Sequence, residues 1–498
     1  MPPPTPPLRG RRGRDRRIAE RIASDFAARH RPPEREAPDF DVGEVDAEIE
    51  DERRRAAPVA SPPPEASRPP EPNSPVKASR PAAPVAAGAL KVSAHRLPDL
   101  SALPPLLAAS GTFAALRERL GSATDDPRRV GRHVGLVAVP HGAKSYLAAA
   151  LALGPTGERL VWIARDAEIG DRVAEELGAW LGDPAAVTTL EPRSSLAYER
   201  SELIADETAA RVAALAAWRS GRVRVLVASV QALLQHTIAP GDLPDSPREL
   251  RRGSRIHQES LLRELFDLGY LPVIEVAGRG EFARRGGIVD VFPPSLPLPI
   301  RIEFCGDEID SLRAFDPTDQ RTVGTIEAAA LLPASEFLLP AGGVAVIRDR
   351  LGRAAGRLPE RLAADLARFD TPPLEARQSA DATRAMAVGD AAEVWAAHLA
   401  PATGLDHIEA GTLLVLDEPG DLAEAAEFLW RQADERQAEL IEAGELPSGW
   451  PLAYLARREW KSRLVASRTL ELTWESVPPE GSSVREATSR PFHSRRPR

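Results

Sequence analysis

Between Arg279 and Arg321 apolar and polar residues alternate in a way that few folds can hold. Ile288-Val289-Asp290-Val291-Phe292 leads into a proline-rich corner, then Ile300-Arg301-Ile302-Glu303-Phe304, then Ile309-Asp310-Ser311-Leu312-Arg313-Ala314-Phe315. A period of two with β-branched residues, broken by Pro and Gly-Asp, predicts three antiparallel strands joined by short turns. Gly286-Gly287 at the entry fits a bulge or a tight bend, where the missing Cβ permits φ > 0. Arg284 and Arg285 precede the first strand and Arg301 opens the second, which places two guanidiniums to project from one sheet face. Two readings follow: solvated charges on a half-exposed sheet, or a docking surface, because a planar guanidinium grips a carboxylate through two parallel hydrogen bonds.

Around this segment the chain is long enough, at 498 residues, for several domains with sizeable cores. Its formal charge of −9 argues against nonspecific nucleic-acid binding as the dominant activity, which needs a strong cationic footprint. The single cysteine, Cys305, excludes an internal disulfide and fits a reducing cytoplasm. No apolar run approaches a membrane span and the N-terminus lacks a secretory core, so a cytoplasmic protein is expected. Residues 1–95 hold 18 of the 48 prolines and few large apolar side chains, which predicts a disordered extension. One helix is conceivable within it, from Asp15 to Arg29, with Ile18, Ile22 and Phe26 on one side. The Ser/Arg-rich residues 477–498 read as a frayed tail.

From Leu97 the chain becomes globular. Apolar runs at Arg132–Val139, Arg159–Ala164 and Arg222–Ser229 alternate with helical segments at Lys144–Leu153, Ala167–Leu181 and Asp206–Arg219. That rhythm predicts an α/β fold, a doubly wound parallel-sheet lobe. The loop after the first strand is where a nucleotide phosphate would sit. A working phosphate loop reads G-x-x-x-x-G-K-[ST], its glycines letting backbone N–H groups wrap the phosphates while Lys adds charge and the hydroxyl ligates magnesium. Here Lys144 and Ser145 stand at the right offset, but Ala138 and Ala143 replace both glycines and Pro140 removes an N–H. A structural turn that has lost its nucleotide is the expectation, with no ATP or magnesium cofactor. An ATPase using Lys144 and Ser145 is the alternative.

Glu259–Leu268 reads as a short amphipathic helix ended by Gly269, and with the three strands it makes an inserted α+β domain. Thr412–Asp417 is a further buried strand, followed by a helix from Asp421 to Ala443. Its Asp417-Glu418 end invites a magnesium-site reading, for which an acidic strand end before a helix is the simpler account. Trp450, Trp460 and Trp474 are expected to pack a small third unit. No HExxH pair, Cys/His zinc spacing or Gly-x-Ser-x-Gly motif is present, so no catalytic residues are assigned.

RGEFARRGGIVDVFPP, followed by RIEFCGDEIDSLRAFDPTDQR, resembles the UvrB-homology module shared by UvrB and the bacterial transcription-repair coupling factor. The likeness extends over residues 100 to 475 and weakens toward the end. It implies a lobe with a degenerate nucleotide loop at 96–246, a UvrA-binding insert at 247–333, a return segment at 334–408 and a small α/β domain at 409–476. In that family the UvrA contact involves an arginine of the RGG motif, an arginine opening the next strand, and an aromatic within FFGDE. By position these fall on Arg285, Arg301 and Cys305. The cysteine departs from the pattern, since a thiol offers less apolar contact than a ring. Arg284 and Phe304 are the neighbours placed to compensate, although strand alternation turns Phe304 to the opposite face. The segment Glu191–Leu215 also resembles the shared module, but Tyr198 stands without the aromatic-rich hairpin that UvrB uses on damaged DNA, so damage reading is not expected. The resemblance implies UvrA as partner, with RNA polymerase and duplex DNA reached through later domains, and the chain is expected to be the non-catalytic N-terminal portion of such a protein or a truncated relative.

Overall fold

The computed structural model describes residues 99–121, 132–154, 157–243, 247–340, 342–370 and 388–474. The N-terminal extension, the helix expected at Asp15–Arg29 and the tail from residue 477 lie outside the described residues.

Strands covered on both faces must be apolar throughout rather than alternating, and the first lobe follows that rule. Its early strands are β1 (His133–Leu136), β2 (Leu160–Ala164), β3 (Val187–Leu190) and β4 (Val225–Ser229), with β2 and β4 buried at every position. Helix α1 (His141–Leu153) follows β1, α2 (Ala167–Leu181) follows β2 and α3 (Ala205–Arg219) precedes β4. The bounds of α2 are written locally. The Asp166 carboxylate accepts the Ile169 N–H at 3.0 Å, and Gly182 ends the helix at φ 67°.

Between the two halves of this lobe sits the insert. Helix α4 (Gln258–Asp267) precedes β5 (Glu281–Arg285), β6 (Ile288–Val291), β7 (Ile300–Cys305), β8 (Glu308–Phe315) and β9 (Thr322–Thr325). These five strands pair in sequence order, each antiparallel to the next, and a short parallel strand at Leu271–Pro272 closes the far edge. Leu261, Leu262 and Leu265 of α4 pack with Phe282, Val289, Val291, Ile300, Ile302 and Leu312, so one sheet face is core. The three expected strands are all present. Strand β5 was not foreseen, and Arg284 and Arg285 lie inside it rather than before the sheet. Gly286-Gly287 is its two-residue hairpin turn, with Gly286 at φ 62°. The irregularities in pairing fall elsewhere, at Glu303/Phe304 and Ala314/Phe315.

After the insert come α5 (Ala392–Leu399), β10 (Leu413–Asp417), α6 (Pro419–Glu442) and β11 (Arg468–Leu472). Here the expected small C-terminal unit gives way to a different arrangement. Strands β10 and β11 enter the lobe's own sheet, whose order is β1-β11-β10-β2-β4-β3 and whose neighbours are all parallel. Alternate side chains of β2, β4 and β10 feed the two apolar layers that cover the sheet: Val161, Leu226 and Leu414 in one, Leu160, Val225 and Leu413 in the other. Nor do the tryptophans build a third core. Trp450 packs edge-on against Trp395 of α5, Trp460 joins the same apolar layer, and exposed Trp474 stacks on His141.

A buried ionic cluster ties the insert's return to the lobe. Arg193 bonds Glu336 at 3.0 Å and Glu393 at 2.6 Å, Arg211 bonds Glu336 at 2.8 Å, and Thr237 donates to Glu336 as well. Burial alone would raise the Glu336 pKa, but Arg211 and Arg193 outweigh it and hold the carboxyl below its ordinary range. Thr237 precedes the insert and Glu336 follows it, so one carboxylate pins both of its chain connections.

Candidate functional site

Two candidate sites were legible in the sequence, and the structure treats them differently. On the insert sheet, pairing register decides which side chains share a face. Ala283, Asp290, Arg301 and Arg313 form one cross-strand row, and Arg285, Ile288, Glu303 and Ser311 form the row two residues along. Residues two apart on a strand point the same way, so Arg285, Arg301 and Cys305 stand on the face away from α4. Cys305 is exposed. Arg284 falls on the helix side, where it pairs with Glu259 of α4 at 2.5 Å. Phe304 also turns that way and packs against the insert core. The structure therefore places Arg285, Arg301 and Cys305 on one face of the sheet and Arg284 and Phe304 on the other.

The two arginines on the outer face are not equivalent. Arg301 reaches across to Asp290 with its Nε at 2.7 Å and an Nη at 2.8 Å, and donates again to the carbonyl and amide oxygens of Gln320. It lies over the Phe315 ring at 4.6 Å and its side chain is only 18% exposed. The hydrogen bond to Asp290 holds its pKa above the ordinary arginine value. Arg285, by contrast, is 46% exposed and among the described residues is held by Glu275 at 3.3 Å and the Ile274 carbonyl at 3.2 Å. One arginine is engaged within the sheet and the other is half exposed on it.

The second candidate, the nucleotide loop, is filled by the protein's own side chains. Ala138 keeps a left-handed backbone at φ 58°, the conformation that a glycine accommodates without Cβ strain. Ala143 sits in the first turn of α1, its N–H bonded to the Pro140 carbonyl at 2.8 Å. Lys144 is 1% exposed and commits two of its three N–H donors, to Asp417 at 2.7 Å and Glu418 at 2.5 Å. Ser145 donates to Glu176 at 2.5 Å and accepts from the Trp180 indole at 3.2 Å. The cavity that remains among His141, Lys144, Ser145, Arg172, Glu176 and Asp417 measures about 10 Å³, the room of a single water. A triphosphate entering here would meet three carboxylates with the lysine already engaged. The acidic strand end and the lysine, kept apart in the sequence reading, are one ion-paired unit.

With this geometry in place, similarity to known proteins can be assigned to parts of the chain. Residues 249–337 match the UvrB interaction domain. The matched segment contains α4, all five strands of the insert sheet and Glu336 of the ionic cluster. The chain is 30% identical over 364 residues to a transcription-repair-coupling factor of Myxococcus xanthus, covering 70% of this chain and 29% of that one. It is 29% identical over 339 residues to the transcription-repair-coupling factor of Bacillus subtilis, covering 64% of this chain and 27% of the other. UvrABC system protein B of Carboxydothermus hydrogenoformans is 28% identical over 303 residues, 56% of this chain and 43% of its own. The chain thus spans less than a third of the coupling factors it matches.

Ile274 escaped the sequence reading. It carries no charge or motif, and only its position beside Arg285 in the fold draws attention to it.

Proposed function

We propose that this chain is a docking module of nucleotide excision repair, whose UvrB interaction domain binds UvrA and thereby links it to transcription. The observation that carries the reading is the match over residues 249–337, whose outer sheet face presents exposed Arg285 and Cys305. Arg285 supplies the charge-assisted contact to an acidic group on UvrA, since its surface pair with Glu275 is weak and easily exchanged. Arg301 acts through Asp290 and Gln320 as the residue that shapes the face. The lobe supports the insert without chemistry of its own, a reading favoured by the carboxylates gathered around Lys144 and Ser145.

The test is equilibrium binding of the full chain to purified UvrA, wild type against Arg285→Ala. The expected loss is about 1.5–3 kcal/mol, the range for a charge-assisted hydrogen bond. Wild-type binding that survives Arg285→Ala unchanged would remove this residue from the interface, and absence of wild-type binding would remove the partner.

A further inference from the structure

Among the described residues Ile274 is the most exposed large apolar side chain, at 92%, ahead of Leu106 at 67%. Single exposed aliphatics are common on protein surfaces and need no explanation alone. What sets Ile274 apart is the way its loop is held. Val276, two residues on, is fully buried with Ala283, Phe292 and Phe315, and Val273 packs against the same cluster. The Val273 N–H donates to the Phe282 carbonyl at 2.8 Å, and the Gln320 amide donates to the Val276 carbonyl at 3.1 Å. Glu281 accepts the N–H groups of Ala277 and Gly278 at 2.8 and 2.7 Å. Both flanks of Ile274 are therefore pinned, and the side chain is displayed rather than loose.

The loop is also continuous with the candidate docking face. The Arg285 guanidinium donates to the carbonyl of Ile274 itself and to the carboxylate of Glu275. An apolar tip and a partly exposed guanidinium thus belong to one fixed surface.

We propose that Ile274 is the apolar anchor of the UvrA contact, inserting into a recess whose rim carries the carboxylate that Arg285 meets. This rests on the docking reading given above. Interfaces draw most of their affinity from a few side chains fully desolvated in pockets of the partner, and a pre-ordered loop loses little entropy on binding. Arg285 and Ile274 are then coupled, because the same loop orients both.

The experiment is binding of the full chain to purified UvrA for wild type, Ile274→Ser, Ile274→Leu and Arg285→Ala, with melting temperature and sedimentation measured on each protein. Ile274→Ser is expected to weaken binding about 10- to 100-fold, the equivalent of withdrawing one buried aliphatic side chain, and Ile274→Leu to stay within about fivefold. Because the side chain touches solvent on nearly all sides, the melting temperature should not move, so a lost fold cannot imitate lost binding. Wild type and Ile274→Ser binding equally well, with Arg285→Ala impaired, overturns the anchor and leaves the docking face standing. Wild type failing to bind UvrA overturns both. A wild-type dimer that Ile274→Ser dissolves would show that a second copy of this chain covers the residue, and overturns the proposal in favour of that occupant.

Discussion

The guanidinium of Arg301 and the carboxylate of Asp290 face each other across adjacent strands, two hydrogen bonds at 2.7 and 2.8 Å joining them on the insert's outer face. Asp290 is 1% exposed, and both of its carboxylate oxygens accept from this partner. Removing one member of a buried pair leaves the other desolvated and uncompensated, at a cost of about 3–5 kcal/mol. Arg301→Ala should therefore lower the stability of the insert by that order, read in a denaturant titration. Arg285→Ala, whose pair with Glu275 is exposed, should change stability by less than about 0.5 kcal/mol. If Arg301→Ala melts like wild type, the pair does not organise the sheet.

This contrast marks how far the sequence could be read. Period-two alternation located β6, β7 and β8 because one face of the sheet is buried and a strand in water must then alternate. Which arginine stands where depends on register, and register follows from the β5–β6 hairpin that local pattern did not reveal. Parallel strands present a harder case. The apolar run of β10 was legible, but its place between β11 and β2 is set by crossovers rather than by neighbours in the chain. Strand β11 was missed altogether. Arg468 and Glu471 interrupt its apolar pattern, and Arg468 is accommodated there by Glu158 at 3.3 Å and by the carbonyls of Leu120, Gly121 and Gly411. Likewise Lys144 and Asp417 lie 273 residues apart, so nothing local predicts their contact.

That contact has its own consequence. With Lys144 bound to Asp417 and Glu418, and Ser145 to Glu176, magnesium-ATP must displace two ion pairs before it gains any contact. A ligand that binds only the folded state raises its stability in proportion to RT ln(1 + [L]/Kd). Magnesium-ATP should accordingly leave the melting temperature within about 1 °C, a shift that such a relation makes readable even for weak ligands. Stabilisation that disappears in Lys144→Ala would instead support the ATPase alternative.

The ionic cluster below the insert carries a prediction of the same physical kind. Glu336 is fully buried and pairs with both Arg193 and Arg211, while Glu393 supplies the second negative charge through Arg193. Glu336→Gln keeps the shape but leaves two guanidiniums with Glu393 as the remaining nearby carboxylate of the cluster. The expected cost is about 3–5 kcal/mol. Since the cluster joins both chain connections of the insert to the lobe, proteolysis near residues 237 and 336 should accelerate in this variant. Equal stability and equal cleavage would show that the cluster does not tie the two together.

Acid sensitivity follows from a histidine in the last turn of α5. His398 is 6% exposed, packs edge-on to Trp450 at 4.7 Å, and has its Nε2 buried without a hydrogen-bond partner among the described residues. Burial, then Arg350 and His236, push its pKa down to about 4. An unfolded histidine titrates near 6.5, so between these values the unfolded chain binds a proton that the folded one refuses. The stabilisation is fully present above about pH 6.5, is lost as the pH falls toward 4, and on this group's account is flat below that, amounting to about 3 kcal/mol at most. His236 and His407 are also held below the ordinary histidine value by burial and act in the same direction. Denaturant titrations from pH 7 to pH 4.5 should show the wild type losing stability steadily across this window. His398→Phe keeps a ring against Trp450 but cannot take up the proton, so its stability should fall less steeply over the same range. Parallel pH profiles for the two proteins would mean that protonation of His398 makes no contribution to the acid limb.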